Sequence, residues 1–255
     1  MPLKPFTDNE ILGGLLTIRQ PRRGHRVGHD AILLAAATPA HPREHAVELG
    51  AGVGAAGLAL ARRVPELSVK LVELDPELAE FAARNAEFNC LSESVRAIVL
   101  DVTAPARAFV AAGIIPGSAA RVLMNPPFND PVRQRSSPDT ARRLAHAAAP
   151  DTLATWVRRA ASLLAPSGTL TLIWRADGLT DVLTTLGRGF GGIAVMPIHP
   201  KPEAAAIRVL LRATKGSRAP LALFPGLALN GADGKATPEA EAVLRGVAVL
   251  PLARL

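Results

Sequence analysis

The chain has 255 residues, with 29 Lys and Arg against 22 Asp and Glu, a formal net charge of +7 and an isoelectric point of about 10.6. An apolar fraction of 49% beside 20% charged residues excludes wholesale disorder. The single cysteine, Cys90, excludes an internal disulfide framework, and no run of about 18 uninterrupted apolar residues is present to span a membrane.

The N-terminus, Met1-Pro2-Leu3-Lys4-Pro5, has no apolar signal core, so a cytoplasmic, reducing location is expected. Residues 13–20 predict a strand and 29–37 a helix that stops near Pro39. From there, short runs rich in branched apolar residues alternate with longer Ala, Leu, Arg and Glu runs. The strand-like runs are 45–49, 68–73, 95–100, 120–124, 169–174, 192–198 and 206–213. The helix-like runs are 55–63, 76–89, 103–111, 151–165 and 177–187. Such alternation predicts an α/β fold, a mostly parallel sheet with crossover helices on both faces. No helix separates the last two strands, which His199-Pro200-Lys201-Pro202 joins, so they are expected to run antiparallel. Beyond about residue 219 come turn signals at Pro225-Gly226, Gly231 and Asp233-Gly234, then a short helix over 238–246. The expected division is a strand and helix extension over 1–40, packed on a main domain over 41–255.

The positive charge is clustered. Arg19, Arg22, Arg23, His25 and Arg26 fall within eight residues, and Arg133 and Arg135 lie in a loop rich in Pro and Ser. A third set is Lys201, Arg208, Arg212, Lys215 and Arg218. A solvated basic face is the plain reading of any one pair; the 19–26 cluster favours contact with phosphate. With 2 Trp, 7 Phe and no Tyr, stacking along a long single strand is disfavoured, which leaves one or two bases held in a pocket.

Glu48-Leu49-Gly50-Ala51-Gly52-Val53-Gly54 follows a strand and opens a helix. Its glycines permit positive φ and close approach of a ligand to the backbone. Gly52, Gly54 and Gly57 match the dinucleotide fingerprint, and Glu73 stands 19 residues after Gly54, where a ribose-binding acid belongs. Glu48 argues against a dinucleotide, because a carboxylate there would repel pyrophosphate at the helix N-terminus. A cationic sulfonium and ammonium would be favourable neighbours instead. Asp101 ends the next strand, so three successive strands end in acids along one sheet edge. The plain alternative for each acid, most serious for Asp101, is a helix cap or a solvated loop residue; Asp75, before Pro76, reads as a cap.

The fourth strand of the series ends in Asn125-Pro126-Pro127-Phe128. The two prolines fix φ and remove two donors, leaving carbonyl acceptors. With the Asn125 side chain, they can accept both hydrogens of an exocyclic amine and aim its lone pair at a methyl donor. Phe128 can stack on the ring that bears the amine. Catalysis would then be orientation and hydrogen bonding.

Together, the Glu48 to Gly54 loop, Glu73, Asp101 and Asn125 to Phe128 resemble the class I S-adenosylmethionine (SAM)-dependent methyltransferases that modify amino or amide nitrogen. The segments 20–34, 137–146, 199–211 and 215–221 look like those of the bacterial valine-tRNA adenine-N6 methyltransferases, which act on the adenine 3′ to the anticodon. The resemblance covers about residues 5–246. It implies a Rossmann-like class I fold with a seven-stranded, mostly parallel sheet containing one antiparallel strand. Residues 41–255 would form the methyltransferase domain. It implies SAM held by Glu48, Gly50, Ala51, Gly52, Gly54, Glu73, Leu74, Asp101, Val102 and Asn125. It assigns the chemistry to Asn125, Pro126, Pro127 and Phe128. The implied RNA contacts are Arg22, Arg23, Arg26, Arg133, Arg135 and Lys201. This subfamily more often has Tyr where Phe128 stands, and Phe also occurs there in guanine-amino methyltransferases of ribosomal RNA. Those enzymes, and the glutamine-amide methyltransferases of translation factors, are the alternatives.

No Cys/His spacing predicts a metal site, and no membrane partner is expected. His146 and His199 read as surface residues, Trp156 and Trp174 as core. No appended RNA-binding domain is evident, so the catalytic domain or a dimer of it has to grip the RNA.

Overall fold

A computed structural model of the chain describes residues 5–22, 26–127 and 152–254. It begins with an antiparallel hairpin of β1 (Phe6–Ile11) and β2 (Leu16–Pro21), in register from Phe6 opposite Pro21 to Ile11 opposite Leu16. β2 buries Leu16, Ile18 and Gln20 on alternate positions, the period of a half-buried strand. β1 exposes most of its residues and was not predicted. Its Thr7-Asp8-Asn9-Glu10 is polar, and pairing with β2 rather than burial makes it a strand.

Next come α1 (His29–Ala37), β3 (His45–Leu49), α2 (Ala55–Arg63), β4 (Ser68–Glu73), α3 (Pro76–Phe88), β5 (Val95–Val99), α4 (Ala106–Ala111) and β6 (Ala119–Met124). The second half has α5 (Thr152–Leu163), β7 (Leu164–Arg175), α6 (Leu179–Leu186), β8 (Phe190–His199), β9 (Arg208–Lys215), β10 (Ala222–Leu223), β11 (Leu227–Ala228) and α7 (Pro238–Leu244). The sheet order is β10-β8-β9-β7-β6-β3-β4-β5, with β11 also on β8. Only β9 runs against its neighbours β7 and β8, so the expected antiparallel pair is present. Seven strands exceed two residues in this sheet; the unpredicted β10 and β11 have two each and pair parallel with β8.

Two cores flank the sheet. One joins β2, α1, α2, α3 and α7; the other joins Phe109 of α4 to α5 and α6. Helices therefore cover both faces, which explains why β3 is buried from Ala46 to Leu49. Local signals set the helix starts. Asp75 caps α3 by accepting from Glu77 N at 2.9 Å, ahead of Pro76, and Thr237 caps α7 by accepting from Ala240 N at 3.1 Å. At the other end, Arg121 on β6 meets Glu44 at 2.7 Å, a nearly buried ion pair before β3. Among the described residues no helix is long and apolar enough to cross a membrane.

The chain order reverses between β3 and β6. From β3 the sheet grows through β4 to β5, and from β6 it grows the other way through β7. In doubly wound sheets, ligands bind at the carboxyl ends of the strands beside such a reversal.

Candidate active site

β3 and β6 are neighbours in register, with Leu49 opposite Met124. The Gly loop and Asn125 therefore leave adjacent strands at one level, roughly 5 Å apart by ordinary strand spacing.

The loop is shaped by crowding. Gly50, Gly52 and Gly54 all have positive φ, at +69°, +57° and +86°. A Cβ on Gly50 would stand 2.4 Å from the Trp156 ring, and one on Gly57 would stand 2.3 Å from Leu71 and 2.7 Å from Glu48 Oε2. Gly52 differs: nothing lies within 4 Å of its Cβ position, so the loop is open there.

The three acids have distinct surroundings. Glu48 is buried and accepts from Gly57 N at 2.7 Å, at the start of α2. Burial pushes its carboxyl up to about 8, against the opposing pull of the Gly57 N–H. Burial thus favours the protonated carboxyl of Glu48 around neutral pH. Besides the repulsion expected from sequence, Glu48 already occupies the Gly57 N–H that a pyrophosphate would need. Glu73 spans the edge: Oε2 accepts from Gly52 N at 2.7 Å and Oε1 from Asp75 N at 2.8 Å. Burial raises its carboxyl too, partly offset by those N–H donors. Asp101 turns on its own backbone, with Oδ1 accepting from Thr103 N at 2.7 Å; it caps no helix, since α4 begins at Ala106 after Pro105. Ala51 and Val102 are buried beside these acids, while Leu74 is 62% exposed.

At the end of β6, Asn125 and Pro127 are half-buried and Pro126 is buried. Phe128, Arg133, Arg135 and His146 lie outside the described residues, as does Arg23. Of the basic residues, Arg19 is engaged: it pairs with Asp8 at 2.8 Å and lies 4.2 Å from the centre of the Phe6 ring. Arg22 and Arg26 are exposed and meet no carboxylate among the described residues. Arg22 Nε donates to Phe6 O at 3.1 Å and Arg26 Nη2 to Asn9 Oδ1 at 2.9 Å. Lys201 is exposed in the β8–β9 connection. Since β9 is antiparallel, that connection opens at the same edge as Asn125. His199 is held by structure, its Nδ1 lying 2.8 Å from Ala204 O.

The sequence places α5, the run expected over 151–165, but does not report its role at the site. Trp156, read as core, lies against Gly50. Arg159 donates to Val102 O at 3.0 Å and also to Ala104 O, while its guanidinium lies 4.2 Å from the centre of the Phe109 ring. One helix thereby clamps the Gly loop and the loop after Asp101. No local sequence signal reports this, because the contacts join residues some 50 or more positions apart.

Comparison with known proteins agrees with this geometry. Residues 25–201 match the model of the methyltransferase small domain family. A Porphyromonas gingivalis protein named tRNA1(Val) (adenine(37)-N6)-methyltransferase is 32% identical over 171 residues, 62% of this chain and 61% of that protein. A Tolumonas auensis protein of the same name is 31% identical over 157 residues, 61% of this chain and 62% of that one. The chain thus spans about six tenths of the length of the curated relatives it matches. Among solved structures, an Agrobacterium tumefaciens protein described as a predicted O-methyltransferase is 32% identical, with a TM-score of 0.73, over 87% of this chain and 98% of that one. The doubly wound sheet, the glycine loop at its reversal and the match over most of the chain place this protein in the methyltransferase small domain family.

Proposed function

We propose that the chain transfers a methyl group from SAM to the exocyclic N6 amine of an adenine in RNA, specifically tRNA. The observation that supports this most is the pairing of Leu49 with Met124, which sets the Gly loop beside Asn125-Pro126-Pro127. The similarity to proteins named as tRNA adenine-N6 methyltransferases supplies the substrate class.

The residues suit the cofactor. The open side of Gly52 admits close approach to the backbone. Glu73 ends β4 where ribose hydroxyls can be met, and exposed Leu74 offers an apolar face to a planar base. Glu48, Gly50, Ala51, Gly54, Asp101 and Val102 complete the holding set, with Asn125 at the methyl end. When bound, SAM supplies an electrophilic methyl carbon, so that an N–C bond forms as the S–C bond breaks and the sulfur keeps the electron pair.

The chain's own groups then do the orienting. The Asn125 side-chain carbonyl and a backbone carbonyl of the proline pair accept the two amine hydrogens. That geometry draws the nitrogen lone pair out of conjugation and toward the methyl carbon. The methylated nitrogen is strongly acidic and gives its extra proton to water, so no base is needed beforehand. Phe128 stacks on the extruded base. Arg22, Arg26 and Lys201, with Arg23, Arg133 and Arg135, contact phosphates around it. The site needs no metal, and its work belongs in the cytoplasm, where tRNA is.

The test is transfer from labelled SAM to unmodified bulk tRNA, then digestion to nucleosides. Label in N6-methyladenosine is expected. Label in a methylguanosine would move the target to guanine. Label in 2′-O-methylnucleosides would favour the oxygen chemistry in the description of the Agrobacterium protein.

A further inference from the structure

Helix α3 and the residue that ends it turn two asparagines toward the N-terminal hairpin. Asn85 is 0% exposed and Asn89 7% exposed. Asn85 Oδ1 accepts from Arg19 N at 2.8 Å, and its Nδ2 donates back to Arg19 O at 2.9 Å. Asn89 repeats the pattern on Thr17, accepting from its N–H at 2.9 Å and donating to its carbonyl at 2.8 Å. Each side-chain amide thus replaces a strand neighbour for β2. The spacing works because four helical residues rise about 6 Å and two strand residues about 6.7 Å.

Asn85 makes one bond more. Its Nδ2 also donates to Val53 O, at 3.0 Å, inside the Gly loop. One buried amide therefore holds both the loop and the strand that leads to Arg22 and Arg26. That strand is stiffened further along: Gln20 Nε2 donates to Asn9 Oδ1 at 2.9 Å, the acceptor that Arg26 shares, and Gln20 Oε1 accepts from Val27 N at 2.9 Å. Asn85 has no solvent-exposed surface. If the loop shifts, either β2 follows or a buried hydrogen bond is left unmade, which is costly.

We propose that Asn85 is a positioning residue that couples the cofactor loop to the basic hairpin, so that SAM and RNA bind cooperatively through it. This rests on the reading of the chain as an RNA methyltransferase. Coupling free energy is reciprocal, so each ligand tightens the other by the same factor.

The experiment measures the Kd of S-adenosylhomocysteine and of an unmodified tRNA transcript, each with and without the other, on the full chain. An enhancement of about 10-fold in both directions is expected. In Asn85→Leu the factor falls to about 1, while S-adenosylhomocysteine alone still binds within a few-fold. Asn89→Leu cuts the hairpin bonds but spares Val53; it weakens RNA binding yet keeps a factor above 1. An unchanged factor in Asn85→Leu, or a factor of 1 in the wild type, overturns the proposal. Should Asn85→Leu fail to fold, hydrogen exchange on the wild type decides: S-adenosylhomocysteine should slow exchange of the Arg19 amide several-fold. An unchanged Arg19 rate overturns the coupling. Absence of tRNA methylation by wild-type protein would instead remove the functional reading beneath it.

Discussion

At Gly50 and Gly57, on the side proposed to hold the cofactor, added atoms have nowhere to go; on the side proposed to meet the substrate, Asn125, Arg22, Arg26 and Lys201 stand partly or wholly in solvent. Gly50 lies under the Trp156 ring and Gly57 under Leu71, so the loop is fixed by packing from α5 and β4. Asn125 is only half-buried, and Arg22, Arg26 and Lys201 are exposed. The first half is determined by shape and fails by misfolding. The second is determined by a few polar atoms and fails by losing chemistry or affinity while the fold survives.

The sharpest way to break this contrast is Asn125→Ala. Transfer should fall by about 10²- to 10³-fold, as when one oriented hydrogen-bond partner of a reacting group is removed. Cofactor affinity should fall far less than transfer, because Asn125 meets only the methyl end, and the melting temperature should stay near wild type; a loss of cofactor binding that matches the loss of transfer would leave Asn125 no orienting role. Gly57→Ala should do the reverse. Its Cβ would overlap Leu71 and the Glu48 carboxyl, costing about 1–3 kcal/mol. At about 2–4 °C per kcal/mol, a thermal melt resolves that, and an unchanged melting temperature would contradict the crowding.

A third effect grows with pH. Glu48 has its carboxyl raised from 4.5 to about 8 in the fold. Below the ordinary value both folded and unfolded chains hold the proton, so the group has no effect on stability. Between about 4.5 and about 8 the unfolded chain releases it and the folded chain keeps it, so stability falls as pH rises. Above about 8 the loss is complete. Glu48→Gln keeps an acceptor for Gly57 N and has no proton to lose. Melting temperatures across pH 5 to 8 should therefore slope less steeply in the variant, by about the linkage of one group. The smallest effect is expected from Arg22→Ala with Arg26→Ala. Folding should be untouched, and the slope of log RNA affinity against log salt should drop by about one per arginine. An unchanged slope would leave these residues as ordinary surface charge.

The same contrast explains what the sequence made legible. β3, β4 and β6 are apolar runs between turn signals, and α3 and α7 carry their own start signals, so their places follow from local rules. The Gly loop announces itself because positive φ demands glycine. β1 escapes because a polar segment becomes a strand only beside β2. The roles of Trp156, Arg159 and Asn85 escape because each depends on residues brought close by the sheet rather than by sequence. Glu48 is an instructive middle case: its presence at the strand end is readable, but its burial against Gly57, and hence its protonation, is a property of packing.

The reversed strand β9 has a consequence for how this site can change. In a wholly parallel sheet, the segment leading into a strand begins at the end remote from the ligand. Here Arg208, the first residue of β9, stands opposite Arg175, the last of β7, and is tied to Asp30 at the start of α1 at 3.1 Å. The span over 200–207 is held at both ends and in its middle: Pro200 O accepts from Asn230 N at 3.1 Å, Ala204 O lies 2.8 Å from His199 Nδ1, and Ile207 N donates to Ile198 O at 2.9 Å. Only Lys201, Pro202 and Glu203 form a continuous exposed stretch between those ties, so the rim of this edge can vary there with the least disturbance to the strands on either side.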